Sequence, residues 1–222
     1  MHQFVKGLEK VLEEAGNKEN AGWMKSYMKN QFDFLGIQTP VRRSLAKAYF
    51  KQHQINFATD IQQIVTECFN KNQREFQYAA IELIAFYKKQ WTASLIDVLE
   101  YCILHKSWWD TVDHVGSECL GIFFTKFPEH IIPVTRKWNH SHNIWLQRSS
   151  IMFQKSFKKD TDTQLLAANI LHVKGSKEFF VQKAIGWALR EYAKTNTAWV
   201  KDFVATNELP ALSKREALKH HR

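Results

Sequence analysis

The chain has 222 residues, 45% of them hydrophobic and 24% charged, a balance that excludes a disordered chain and suffices to bury a core. Gly and Pro number only 8 and 4, too few for the tight turns of a sheet-rich fold, so an all-α class with short loops is expected. The net charge of +9 sits wholly in the C-terminal part: residues 1–135 carry 15 Lys+Arg against 15 Asp+Glu, and residues 136–222 carry 16 against 7. That asymmetry points to a polyanionic partner, nucleic acid or an anionic membrane surface, with a merely solvated surface as the bland alternative.

Apolar residues recur at helical spacing almost throughout. In chain order, helices are predicted over 2–15, 20–31, 40–53, 57–71, 73–90, 92–106, 108–126, 128–140, 143–158, 161–173, 177–195, 197–206 and 212–221. Pro40 and Pro128 suit a first helical turn, and Asn143 and Ser176 suit N-caps. The opening segment MHQFVKGLEKVLEE is amphipathic and already acidic by Glu9, unlike the apolar core of a signal peptide, and no apolar run approaches a membrane span. Cys68, Cys102 and Cys119 stand far apart and read as buried thiols of a reducing compartment, neither a disulfide frame nor a zinc site. A cytoplasmic protein without a membrane partner is expected.

Gln77, Gln147 and Gln182 open similar helical stretches, and the last two stand 35 residues apart, the first two twice that. A period of this length fits one helix pair per repeat, each burying its neighbour's apolar face. The Trp, Gly and Tyr pattern of tetratricopeptide repeats is missing, so a HEAT-like superhelix of about six pairs, one domain over 1–222, is the expectation. The same period carries Arg43 to Tyr78, Asp113, Arg148 and Lys183, which predicts a row along successive inner helices. Met152, Lys155 and Lys159 would continue the face of Arg148, and Trp187, Arg190 and Lys194 that of Lys183. A basic row with interleaved aromatics is the footprint of a surface that follows a phosphate backbone.

Within Ser107-Trp108-Trp109-Asp110-Thr111-Val112-Asp113, Trp109 and Asp113 share a helix face. An acid in a basic row repels phosphate, which invites a catalytic explanation; an ordinary inter-repeat ion pair with Arg148 is the alternative. Trp23, Trp91, Trp138 and Trp199 are assigned to the core, as large aromatics of helical arrays usually are, whereas Trp109 and Trp187 fall on the charged face. The ten histidines do not converge on a metal, and His220-His221 reads as a polar chain end.

FLGIQTPVRR (34–43), KSWWDTVD (106–113), NIWLQR (143–148), SKEFFVQKAIGWALREYAKTN (176–196) and LSKREALKH near the end together resemble the AlkD family of bacterial DNA glycosylases, over essentially the whole chain. The resemblance implies a HEAT-like superhelix that holds duplex DNA and hydrolyses the N-glycosidic bond of cationic alkylpurines, N3-methyladenine and N7-methylguanine, leaving the base in the stack. It implies Asp113 as the catalytic carboxylate, Trp109 and Trp187 as aromatic walls against the sugar, and Arg148 as a phosphate-holding residue beside them. Further DNA contacts are implied at Tyr27, Gln38, Thr39, Arg43, Arg190, Lys194 and Lys214; the basic row adds Lys183. A monomer that needs no metal or other cofactor is expected, and a DNA-binding relative without catalysis is the alternative.

Overall fold

Helix α1 (Gln3–Glu14) shows how the apolar spacing becomes structure: Phe4, Val5, Leu8 and Leu12 form one buried face, and the others look outward. A computed structural model describes residues 1–219, and among these it is all-helical, with no strand and one isolated bridge between Asp33 and Gln73. Residues 220–222 lie outside the described part, and with them His220-His221 and the end of the helix predicted over 212–221. The chain divides into two compact units, Met1–Lys106 and Ser107–Arg222.

The first unit continues with α2 (Lys18–Tyr27), α3 (Thr39–Gln52), α4 (Phe57–Asn70), α5 (Arg74–Phe86) and α6 (Leu95–Leu104). Helix α5 is its centre, packed on α3 and α4 and buried at nearly every position from Arg74 to Ile84. The buried Glu75 carboxylate accepts the backbone N–H groups of Leu35, Gly36 and Ile37 at 3.0, 2.9 and 3.2 Å. Gly36 stands at φ +87 with the Asn17 carbonyl where a Cβ would go, so only glycine fits this turn. The buried acid thus fixes the loop that delivers Gln38 and Thr39 to the start of α3. One expectation fails here: Trp23, assigned to the core, is 74% exposed. Helix α2 buries none of its residues, so a tryptophan on it has no interior to enter.

The second unit holds α7 (Trp109–Val115), α8 (Gly121–Lys126), α9 (Ile131–Asn139), α10 (Ile144–Met152), α11 (Thr163–Val173), α12 (Phe179–Ala193), α13 (Thr197–Thr206) and α14 (Ala211–Ala217). Helices α7, α10, α12 and α14 each pack on the next, while α9 pairs with α10 and α11, and α13 with α12. Helices α7 and α8 form one run joined by a π turn at Gly116–Leu120. Buried Thr111, Val115, Cys119 and Phe123 recur every fourth residue, and a 3.6-residue helix would rotate that stripe off the core; the wider turn absorbs the drift.

The glutamines that suggested a repeat all do the same job. Gln77, Gln147 and Gln182 each donate their side-chain amide to the carbonyl six residues upstream, of Lys71, Ser141 and Ser176, at 3.0, 2.8 and 2.9 Å. Each ties its helix to the loop before it, which explains why the residue recurs.

Other differences lie at helix ends. Asn143 caps α10 by accepting from Trp145 and Leu146, but Ser176 is not the cap of α12; that place belongs to Glu178. Helix α10, predicted to reach residue 158, stops at Met152. Gln154 ends it, because its side chain accepts from the Asp162 N–H (2.7 Å) and donates to the Asp162 carbonyl (3.2 Å), clamping a turn in place. Lys155 and Lys159 therefore do not continue the helical face of Arg148.

Candidate active site in the second unit

Three helices of the second unit supply the predicted chemistry. Helix α7 carries Trp109 and Asp113 one turn apart, α10 carries Arg148, and α12 carries Lys183, Trp187 and Arg190. All six line one open pocket of about 360 Å³. Phe179 and Phe180, at the start of α12, complete it; in the sequence they appear only within a family motif and carry no role of their own.

Asp113 and Arg148 form a two-pronged ion pair. Arg148 Nε donates to Asp113 Oδ1 and its second terminal nitrogen to Oδ2, both at 2.8 Å. The remaining terminal nitrogen donates to the Phe180 carbonyl at 2.8 Å, which ties the pair to α12. The arginine side chain is 4% exposed and the aspartate 17%, so the pair turns its negative end to the pocket. Arg148 therefore stands behind the carboxylate rather than at the surface. The fork geometry fixes both carboxylate oxygens and still leaves each a lone pair for another donor.

Trp187 closes one side. Its indole N–H donates to Glu191 Oε1 at 3.3 Å, while Arg148 and Lys155 approach its ring at 5.7 and 4.5 Å. Behind the pocket Phe180 packs against Trp108 and Trp145, with ring centroids 5.1 and 4.8 Å away.

Most cations of the predicted basic row are compensated, which corrects the picture of an open positive stripe. Lys183 and Arg190 share Glu216 of α14 at 3.0 and 2.9 Å, Lys194 meets Glu191 at 2.7 Å, and Arg43 meets Glu82 at 3.1 Å. The hydrogen bond from Lys183 is the main cause that holds Glu216 below the usual carboxylate range; burial opposes it, and Arg190 adds to the lowering. Burial works against the charge of Glu191, but hydrogen bonds from Lys194 and Trp187 with the charges of Lys194 and Arg190 outweigh it, so it too is lowered. Tyr78, the row's aromatic member, is buried with the Arg42 guanidinium 4.5 Å from its ring centre. Lys214 lies half-buried on α14.

Tyr27, Gln38, Thr39 and Arg43 belong to the first unit and are all exposed. Gln38 and Thr39 sit at the N-terminus of α3, where unpaired backbone N–H groups and the helix dipole favour an anion. Among the described residues no cluster of His, Cys, Asp or Glu could hold a metal ion, and no helix is long and apolar enough to cross a membrane. The three cysteines are buried and free, with burial pushing the Cys68 thiol up to about 12.

The class of this all-helical chain follows from comparison with known proteins. The family model for DNA alkylation repair enzymes matches residues 8–221, so the chain belongs to that family, and its role lies in the repair of alkylated DNA. Among solved structures it is similar to a predicted DNA alkylation repair enzyme from Enterococcus faecalis, with 32% identity and a TM-score of 0.86 over 93% of this chain and 96% of that one. No curated protein sequence matches.

Proposed function

We propose that the protein is a DNA glycosylase of base excision repair. It hydrolyses the N-glycosidic bond of cationic alkylpurines, N3-methyladenine and N7-methylguanine, in duplex DNA without flipping the base. The observation that carries this reading is the Asp113 carboxylate, held by Arg148 with its negative end toward a pocket walled by Trp109 and Trp187. An alkylated purine already bears positive charge and leaves as a neutral base, so no general acid is required. The barrier lies in the positive charge that builds on the sugar, which a fixed carboxylate and indole faces stabilise. The carboxylate's remaining lone pairs suit it to orient the attacking water. Enzymes that flip a base accept it in a snug, enclosed pocket; this one is open, which favours action from the backbone side.

In this account the chain has a HEAT-like fold of about six helix pairs, acting as a cytosolic monomer without metal or other cofactor. Tyr27, Gln38, Thr39 and Arg43 contact DNA from the first unit, and Lys183, Arg190, Lys194 and Lys214 from the second, the paired lysines and arginines exchanging their carboxylates for phosphates.

The ion pair itself favours a second reading, a catalytically silent DNA binder in which Asp113 only anchors Arg148. Incubation with duplex DNA carrying N7-methylguanine, in the presence of a chelator, separates the two. Release of free methylated base is expected; tight duplex binding with no released base would establish the silent binder.

A further inference from the structure

Lys155 lies beside the site, although the helix expected to carry it there ends at Met152. It sits instead in the turn that follows, formed by bonds from its own N–H to the Met152 carbonyl (3.0 Å) and from the Phe157 N–H to the Gln154 carbonyl (2.9 Å). The turn is rigidly held. Gln154 is bonded twice to Asp162, and Phe153 packs edge-on against Phe124 with centroids 5.0 Å apart. Lys155 is therefore presented from fixed backbone. Its side chain runs along the flank of the ion pair, lining a small cavity with Asp113, Gly116, Arg148 and Met152, and its ammonium stops 4.5 Å from the centre of the Trp187 ring.

Its electrostatic situation differs from that of its neighbours. Arg148, Lys183, Arg190 and Lys194 each have a carboxylate, whereas the Lys155 ammonium meets no carboxylate or other acceptor among the described residues. An ammonium has three donors, and the indole face answers its charge by only about 0.5–1 kcal/mol in exposed settings without accepting a conventional hydrogen bond. A half-buried cation beside a site that must stabilise positive charge on a sugar works against that step unless an anion comes with the substrate.

We propose that Lys155 is a phosphate-binding residue, which takes a phosphodiester of the DNA backbone next to the nucleotide held at Trp187. The inference rests on the glycosylase reading for its place in the reaction, but not for its binding test. Phosphate neutralises the ammonium, so the positive charge that would oppose the sugar cation is cancelled only when DNA is in place.

Lys155→Met keeps an unbranched side chain and removes the charge, and Lys155→Arg restores it. Binding of an undamaged duplex is measured by filter retention between about 50 and 200 mM salt. One lost phosphate contact lowers the slope of log K against log salt by about 0.9, so the fall in affinity across that range shrinks roughly threefold in the methionine variant and returns with arginine. In single-turnover excision the loss falls mainly on the half-saturating enzyme concentration. A wild-type salt slope in the methionine variant, together with a slower saturated rate, would mean that Lys155 only positions Trp187, and would overturn the proposal. Failure of the glycosylase reading shows separately, as absence of base release by the wild type while the slopes still decide the role of Lys155.

Discussion

Arg148 and Asp113 show what one residue's surroundings decide. As a basic residue on a row, Arg148 reads as a phosphate contact, and the sequence could not show that its donors are already committed to Asp113 and the Phe180 carbonyl. It was visible, though, that the two stand 35 positions apart, and an ion pair between them stood as the alternative to a catalytic role. The consequence for Arg148→Ala is specific. Removing one partner of a largely buried pair leaves the other uncompensated, at a cost of about 3–5 kcal/mol, discounted toward the lower figure because Asp113 is partly exposed. Denaturant unfolding is expected to show that loss. The salt dependence of duplex binding is expected to stay unchanged, since the guanidinium faces protein. A slope lowered by about 1 unit would return Arg148 to the phosphate contacts.

At the scale of elements, α12 and α14 form the wall that bears Lys183 and Arg190, and they touch closely because of Gly186. A Cβ there would stand 2.5 Å from the Glu216 Cβ and 2.9 Å from the Ser213 carbonyl. Close approach lets Glu216 reach both cations. Glu216 and Glu191 are held below the usual carboxylate range, so at acid pH the folded protein binds fewer protons than the unfolded chain. Their stabilisation is fully present above the unfolded carboxylate value of about 4.3 and is lost as pH falls through the lower folded values. Melting temperature recorded against pH should fall over that acid range, and less steeply in Glu216→Gln. An equal acid slope in both proteins would remove Glu216 from the clamp. The helices themselves were legible because their apolar spacing is local. The π turn at Gly116–Leu120 was not seen, although its cause, burial at every fourth residue from Thr111 to Phe123, was in the sequence. The end of α10 depends on Gln154 reaching Asp162 across a turn, which no helical periodicity reveals.

At the scale of the whole molecule, the all-helical class and the period of the glutamines were legible because three helices solve the same local problem with the same side chain. The charge excess of the C-terminal part was legible as a sum, but the ion pairs of individual row cations were not. Arg43 finds Glu82 39 residues on and Arg190 finds Glu216 26 residues on, distances at which only the fold makes neighbours. Trp23 was misplaced for a related reason: a tryptophan at helical spacing looks like core until its helix proves to bury nothing.

The central claim is that this fold braces Asp113 for chemistry, not merely for stability, and Asp113→Asn tests it. The amide is nearly isosteric, but it turns one acceptor of the fork into a donor facing Arg148, so some loss of melting temperature is expected on either account. The deciding quantity is the rate per folded molecule, obtained from single-turnover release of N7-methylguanine at saturating enzyme beside thermal unfolding of the same sample. Loss of the fixed anion is expected to slow release on the order of 10²–10³-fold, with duplex affinity retained or improved because a negative charge facing phosphate is gone. A variant with reduced stability that releases base at the wild-type rate per folded molecule would contradict the account and leave Asp113 as an anchor for Arg148.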